Sequence, residues 1–266
     1  MRIGIFLLGL ALLAGCSSPP LQIDQQARTL GLEARVERHA GLAVQTLQPV
    51  QGARHLRVYL EGDGRAWATP RSPSTDPTPG RSLVLELLAL DQQPAVYMAR
   101  PCQFVMSAPC RVTLWTDARY SPVIIEASSA ALDAIKLRLG VDTFELVGHS
   151  GGAAVALLLA QRRSDVVAVQ TLAGNLAPHR WTQLKRLSPL RGSLDPSDEP
   201  GRLRDLPQRH LLGTRDPIIP QELLNHYWNA VQPRCAQRIN LDADHHQGYA
   251  ALWQQLMSEP LPCQSK

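Results

Sequence analysis

Phe144-Glu145-Leu146-Val147-Gly148-His149-Ser150-Gly151-Gly152-Ala153-Ala154-Val155-Ala156-Leu157-Leu158-Leu159 is the stretch that decides the fold of this chain. A short apolar run with the length of a buried strand passes directly into Gly-x-Ser-x-Gly, and an Ala/Leu-rich run of helical length follows. So abrupt a turn strains its central residue and leaves almost no room for side chains two positions before and two after it. Gly148 and Gly152 meet that demand because glycine has no Cβ to clash. Small Ala153 and Ala154 let the helix approach the strand. The Ser150 hydroxyl is then expected at the carboxyl edge of a sheet, above a helix N-terminus whose dipole favours negative charge. A phosphate-binding loop is the structural competitor, but no Gly-x-x-x-x-Gly-Lys sequence is present.

Outward from this turn, strand-like and helix-like runs alternate. Residues 32–39 and 42–47 read as an opening hairpin around Gly41, and 55–61 as a third strand with Leu56, Val58 and Leu60 alternating. Residues 81–90 read as a helix and 95–99 as a strand. Ser121-Pro122 is a helix start, a hydroxyl cap followed by Pro at the first helical position, and that helix runs to Leu139 and stops at Gly140. Beyond the elbow, 166–172, 209–213 and 238–241 are strands, and 151–162, 221–231 and 248–257 are helices. The alternation predicts a mostly parallel sheet with helices on both faces, the opening hairpin forming its antiparallel edge. Residues 68–79, rich in Pro, Ser and Thr, read as a loop. Residues 175–207 read as an insertion with a short helix near 181–187, placed over the carboxyl ends of the strands where ligands bind.

A serine hydroxyl is a weak nucleophile until a base takes its proton, and the base needs an acid to orient it. After Ser150, the strand 209–213 ends in a turn that contains Asp216, the expected place for the acid. Asp195, Asp198 and Asp205 lie in the insertion instead. His226 lies mid-helix and points away from the strand ends. His245 and His246 follow the last strand. Two adjacent histidines cannot both face Ser150; His245 is preferred and His246 is the alternative. The backbone N–H of Gly151, directly after the nucleophile, is one donor for an oxyanion.

Together these residues resemble the α/β-hydrolase superfamily, over about residues 32–257. The resemblance implies an α/β-hydrolase fold with a mostly parallel eight-stranded sheet. It also implies an esterase-like serine hydrolase using Ser150, Asp216 and His245, with neither a metal nor an organic cofactor. Asp244-His245-His246-Gln247-Gly248-Tyr249 resembles the histidine loop of relatives. By resemblance to the superfamily's His-Gly-x-Gly loop, the Asp63 amide in Leu60-Glu61-Gly62-Asp63-Gly64 is the second oxyanion donor. Glu61 stands where many relatives have His, and packing or hydrogen bonding suits it as well as catalysis. Arg100-Pro101-Cys102-Gln103 and Ala173-Gly174-Asn175-Leu176 are similar to features of exported hydrolases and name no substrate. Trp67, Phe104, Trp115, Tyr120 and Trp181 are candidates for an apolar acyl pocket or, equally, ordinary core aromatics. Two rival readings share the sequence: an acyltransferase, and a non-catalytic envelope lipoprotein using the fold as a binding module.

At the N-terminus, Met1-Arg2 precedes an apolar run over residues 3–13, shorter than the ~20 residues that span a bilayer. A charged start, a short apolar stretch and small residues at its end describe an export signal. Leu13-Ala14-Gly15-Cys16 resembles the lipobox of bacterial lipoproteins, which implies cleavage before Cys16 and a diacylglycerol on its thiol. An ordinary export signal is the alternative. The organisation expected is a signal over 1–15, a lipidated Cys16 with a tether to 31, and one hydrolase domain over 32–266. Ser17 after the cysteine implies the outer membrane, facing the periplasm. Cys102, Cys110, Cys235 and Cys263 allow three pairings. In an oxidising compartment the sequence-local one, Cys102–Cys110 and Cys235–Cys263, is expected. The 266 residues are 44% hydrophobic, enough for one core, with a net charge of +4. The arginines are scattered without a basic stripe, so the expected partners are a small-molecule or lipid acyl substrate and the anchoring membrane, and no nucleic acid.

Overall fold

The computed structural model describes residues 21–264, so the expected export signal and Cys16 lie outside the described residues. The chain enters through helix α1 (Ile23–Leu30) and the hairpin β1 (Glu33–His39) and β2 (Leu42–Gln48). Strand β3 (His55–Leu60), a small ribbon of β4 (Trp67–Thr69) and β5 (Ser72–Pro73), helix α2 (Leu83–Leu88) and strand β6 (Ala95–Met98) follow. Then come α3 (Pro122–Leu139), β7 (Thr143–His149), α4 (Gly151–Arg162), β8 (Val166–Leu172) and α5 (Pro178–Leu184). The chain closes with β9 (Gln208–Gly213), α6 (Gln221–Val231), β10 (Ala236–Leu241) and α7 (Ala250–Leu256).

Eight strands form one sheet in the order β1-β2-β6-β3-β7-β8-β9-β10. From β6 to β10 neighbours are parallel, and the opening hairpin adds the antiparallel edge. Both faces are covered. In β3, Leu56, Val58 and Leu60 pack in one cluster with α3, α4 and α6, while Tyr59 packs in another with α2, α7 and Ala27 of α1. The two-residue period of a strand thus feeds two cores from one segment. Each fully buried aliphatic side chain contributes about 1.5–3 kcal/mol.

Four local expectations are corrected. Residues 23–30, read as tether, form α1: Ile23, Ala27 and Leu30 share a face at helical spacing, Ala27 is buried, and Gly31 closes the helix at φ 64°. Residues 68–79, read as loop, contain much of the β4–β5 ribbon. The helix of the insertion is Pro178–Leu184, three residues earlier than expected, because Pro178 sets its first turn. The Ser121 hydroxyl makes no capping bond to α3, so Pro122 rather than a cap starts that helix.

Both sequence-local disulfides are present, Cys102–Cys110 and Cys235–Cys263. Under the sheet, Arg57 pairs with Glu145 at 2.9 Å and Asp91 at 2.7 Å, and it donates to the Met257 carbonyl at 3.2 Å. Arg209 reaches Gln170 at 3.1 Å and the Leu256 carbonyl at 3.0 Å. Two buried guanidiniums therefore hold the end of α7. That helix follows the loop between β10 and α7 that carries His245.

Candidate active site

Strand β7 turns into α4 at Ser150, whose backbone sits at φ 52°, ψ −119°. A non-glycine residue there is strained and persists because its surroundings over-determine it. A Cβ on Gly148 would stand 2.6 Å from Ala153 backbone atoms, and one on Gly152 would stand 2.4 Å from the Leu60 carbonyl oxygen. The turn is pinned from both sides. The Ser150 N–H donates to the Leu172 carbonyl at 3.1 Å, and the Asn175 N–H donates to the Ser150 carbonyl at 2.9 Å.

The structure brings Ser150, His245 and Asp216 together. Ser150 Oγ lies 3.0 Å from His245 Nε2, and His245 Nδ1 lies 2.8 Å from Asp216 Oδ2. An ionised carboxylate only accepts, so His245 Nδ1 carries the proton donated to Asp216, and Nε2 accepts from the serine hydroxyl. The second Asp216 oxygen accepts from the amides of Ile218 at 2.7 Å and Ile219 at 3.0 Å. Burial alone would raise the Asp216 carboxyl; the bonds from His245, Ile219 and Ile218 outweigh it and hold the group below its ordinary range. Asp216 stays ionised at neutral pH.

Gly151 opens α4, so its N–H has no acceptor within the helix. Gly62 lies across from it, a Cβ there falling 3.4 Å from Ser150 Cβ. Neither the Asp63 nor the Gly151 N–H finds a hydrogen-bond partner among the described residues. The loop after β3 is held by its own side chains. Glu61 is buried and accepts from the Gly62 amide at 2.8 Å and from the Tyr97 hydroxyl at 3.0 Å. Burial raises its pKa against those bonds. Its geometry serves the shape of the loop. Gly64, at φ +60°, passes so close to the Pro77 carbonyl that a Cβ would stand 2.1 Å from its oxygen.

Sequence reasoning missed the clamp on Asp63. Its carboxylate takes Arg100 at 3.0 Å, Arg119 at 2.7 Å and the Tyr120 hydroxyl at 3.1 Å. Burial would raise the Asp63 carboxyl, but Arg119 and Arg100 hold it below its ordinary range. A Cβ on Gly151 would collide with this carboxylate at 2.0 Å, so the clamp braces the elbow as well as the loop.

His149, just before the nucleophile, was also missed as a functional residue. Its Nε2–H donates to the His245 carbonyl at 2.8 Å, which fixes the histidine loop against the elbow. Burial, with His245 nearby, lowers its pKa to about 3. His149 is therefore a neutral strut at physiological pH. His246, the alternative base, is exposed and stacks edge-on against His245 with ring centroids 4.7 Å apart.

A cleft of about 530 Å³ opens above Ser150, between the β3 loop, the histidine loop and the insertion. A second groove of about 920 Å³ continues outward and shares Trp67, Arg119 and Trp181 with it. Of the aromatic candidates, Trp67 and Trp181 line the cleft. Trp115 and Tyr120 are buried below it, and Phe104 packs edge-on against Tyr97. Helix α5 is tied to the acid turn: Trp181 Nε1 donates to the Ile218 carbonyl at 3.0 Å, and Lys185 to the Pro217 carbonyl at 2.6 Å. Elsewhere in the insertion, His179, Asp195 and Asp198 bring three possible metal-ligand atoms within 4.8 Å. There Asp195 already accepts from the amides of His179 and Ser197 and from the Ser197 hydroxyl.

No protein-family model matches the chain, and no curated protein matches it in sequence. Solved structures match it in shape. The esterase Pf2001 of Pyrococcus furiosus superposes with a TM-score of 0.65 at 13% identity, over 90% of this chain and 94% of that one. The protein lip1 of Acinetobacter baumannii AYE gives 0.56 at 14% identity, over 91% and 95%. Puromycin hydrolase gives 0.56 at 14% identity, over 84% of this chain and 37% of that one. At such identities the likeness establishes the fold, which is the α/β-hydrolase fold, and the residues must carry the chemistry.

Proposed function

We propose that this chain is a serine hydrolase of acyl esters, with Ser150 as nucleophile, His245 as base and Asp216 as its orienting acid. The observation that carries this reading is the unbroken relay from Asp216 to His245 to Ser150, at 2.8 and 3.0 Å, ending on a serine held at φ 52°. Ser150 Oγ attacks the carbonyl carbon as its proton passes to His245 Nε2. The carbonyl oxygen takes the negative charge and is held by the amides of Asp63 and Gly151, each such donor contributing about 2.7–4 kcal/mol in the transition state. The imidazolium, stabilised by Asp216, gives its proton to the departing alkoxide, leaving an acyl-Ser150. Water, deprotonated by His245, then attacks the acyl carbon, and Ser150 leaves with the proton. The esterase and hydrolase names among the structural neighbours agree with this chemistry.

From the first sixteen residues we further propose an exported lipoprotein, carrying a diacylglycerol on Cys16 and residing at the outer membrane. The test of the catalytic reading is a series of p-nitrophenyl esters of rising acyl length. Wild type turns them over, and Ser150→Ala lowers kcat by about 10⁴–10⁶. Equal rates in the two would leave a binding module instead.

A further inference from the structure

Eight large hydrophobic side chains stand exposed among the described residues, and three of them border the two cavities. Trp67 is 45% exposed, Leu187 48% and Ile218 37%. They come from three separate segments, the β4–β5 ribbon, the insertion and the acid turn, and Trp181, which lines both cavities, donates to the Ile218 carbonyl. Scattered exposed apolar residues need no explanation, but a rim assembled from distant segments around one opening marks an interaction surface. Exposed Arg71 and Arg191 flank this rim, one on the ribbon and one on the groove wall. Tryptophan beside arginine is the composition of a surface that sits at lipid head groups, where an amphipathic ring and a cation both find partners.

The chain enters the fold beside the catalytic cleft. The Leu21 N–H donates to the Pro79 carbonyl at 3.0 Å, and Pro79 lines the catalytic cleft. Leu21 and Ile23 pack on the core, so this exit point is fixed. Cys16 lies five positions upstream of Leu21. Five residues span at most about 18 Å when fully extended. A lipid on Cys16 therefore holds the cleft wall at Pro79 within about that distance of the bilayer.

We propose that the apolar rim of Trp67, Leu187 and Ile218 docks on the membrane that anchors Cys16, and that the substrate is a bilayer-resident acyl lipid. This inference rests on the ester-hydrolase and lipoprotein readings above. The ligand is an amphiphile whose ester lies at its polar–apolar boundary, with the outer groove taking the acyl chain and Ser150 meeting the ester. Docking on anionic and zwitterionic head groups spares the lipid the cost of leaving the bilayer completely before it reaches the nucleophile.

The test uses the full lipidated chain in vesicles of phosphatidylethanolamine and phosphatidylglycerol, part of the lipid brominated on its acyl chains near the head group. Tryptophan emission is expected to be quenched in wild type, and Trp67→Phe is expected to lose most of that quench. This readout does not depend on catalysis. In parallel, twenty Gly/Ser residues are inserted between Ser18 and Pro19. Turnover of water-soluble p-nitrophenyl butyrate stays within about twofold. Hydrolysis of a fluorogenic diacyl phospholipid in the same vesicle falls about tenfold, as the effective concentration drops with tether length. A quench unchanged by Trp67→Phe, phospholipid hydrolysis indifferent to the spacer, or burial of Trp67 by a second copy in vesicle-free solution would each overturn the docking. Absence of p-nitrophenyl butyrate turnover in wild type would instead strike at the ester-hydrolase reading, and the bromine quench would still report on the rim.

Discussion

Ser150 has a backbone conformation that a serine in an ordinary turn would not keep, and Gly148 and Gly152 let it persist. The Leu60 and Glu61 carbonyls stand where a Cβ on Gly152 would go, and backbone cannot yield as the tip of a flexible side chain can. Gly152→Ala is expected to destabilise the fold by about 2–4 kcal/mol and to abolish ester turnover, read by urea unfolding and kinetics together. His149 acts through its neighbour. Its single bond to the His245 carbonyl holds the base, so His149→Ala is expected to lower kcat about tenfold with KM within about twofold. A loss confined to KM would show that His149 touches substrate instead. This strut was illegible in the sequence because position 149 is the variable residue of Gly-x-Ser-x-Gly. The Asp63 clamp was illegible for another reason: Arg100 and Arg119 lie 37 and 56 residues away, and pattern reading sees only local spacing. Ser150, Asp216 and His245 were legible because each lies in the turn or loop just past a strand whose place in the alternation was clear.

Among the elements, the opening α1 and the β4–β5 ribbon escaped the sequence reading. Both are short, and both depend on packing or pairing with distant segments rather than on local propensity. Helix α1 hides in a run of Gln and Arg, and three apolar positions in eight residues are too few to outweigh that polarity. The long elements α3, α4 and α6 ended where expected because Gly140, the elbow glycines and the polar turn after Val231 mark their limits. One disulfide closes the irregular loop after β6, and the other ties the start of β10 to the C-terminal segment after α7. Closing separations of 8 and 28 residues, they are expected to stabilise the fold by about 2.5 and about 3.5 kcal/mol. Paired Cys→Ser variants measured by urea unfolding check this, and Cys235→Ser/Cys263→Ser is expected to lose more than Cys102→Ser/Cys110→Ser.

For the whole molecule, buried titratable groups set the response to acid. His149 and His210 are both held neutral by burial, each with its pKa lowered to about 3. Between about pH 6.5 and 3 the unfolded chain binds these protons and the folded chain does not. Stability therefore falls as pH falls through that window, by about 1.4 kcal/mol per pH unit for each histidine, and is unaffected by them above it. Glu145 works lower down. Burial opposes ionisation, but His55, Arg57 and Gln170 bring its pKa to about 2. Its stabilisation is complete above about pH 4.5 and is lost as pH falls toward 2. His210→Gln, far from the catalytic relay, is expected to reduce the slope of stability against pH between 6.5 and 4 by about half, measured by urea unfolding at stepped pH. An unchanged slope would mean that His210 is protonated in the folded protein.

The central claim, that Ser150 is a nucleophile activated by His245 and Asp216, is tested most directly by reaction with a fluorophosphonate followed by mass spectrometry of the peptide containing residue 150. The adduct is expected on Ser150 in wild type, to be slowed by about 10⁴ in Asp216→Asn and to be absent in Ser150→Ala. An adduct on another residue, or none on a folded wild-type protein, would contradict the account.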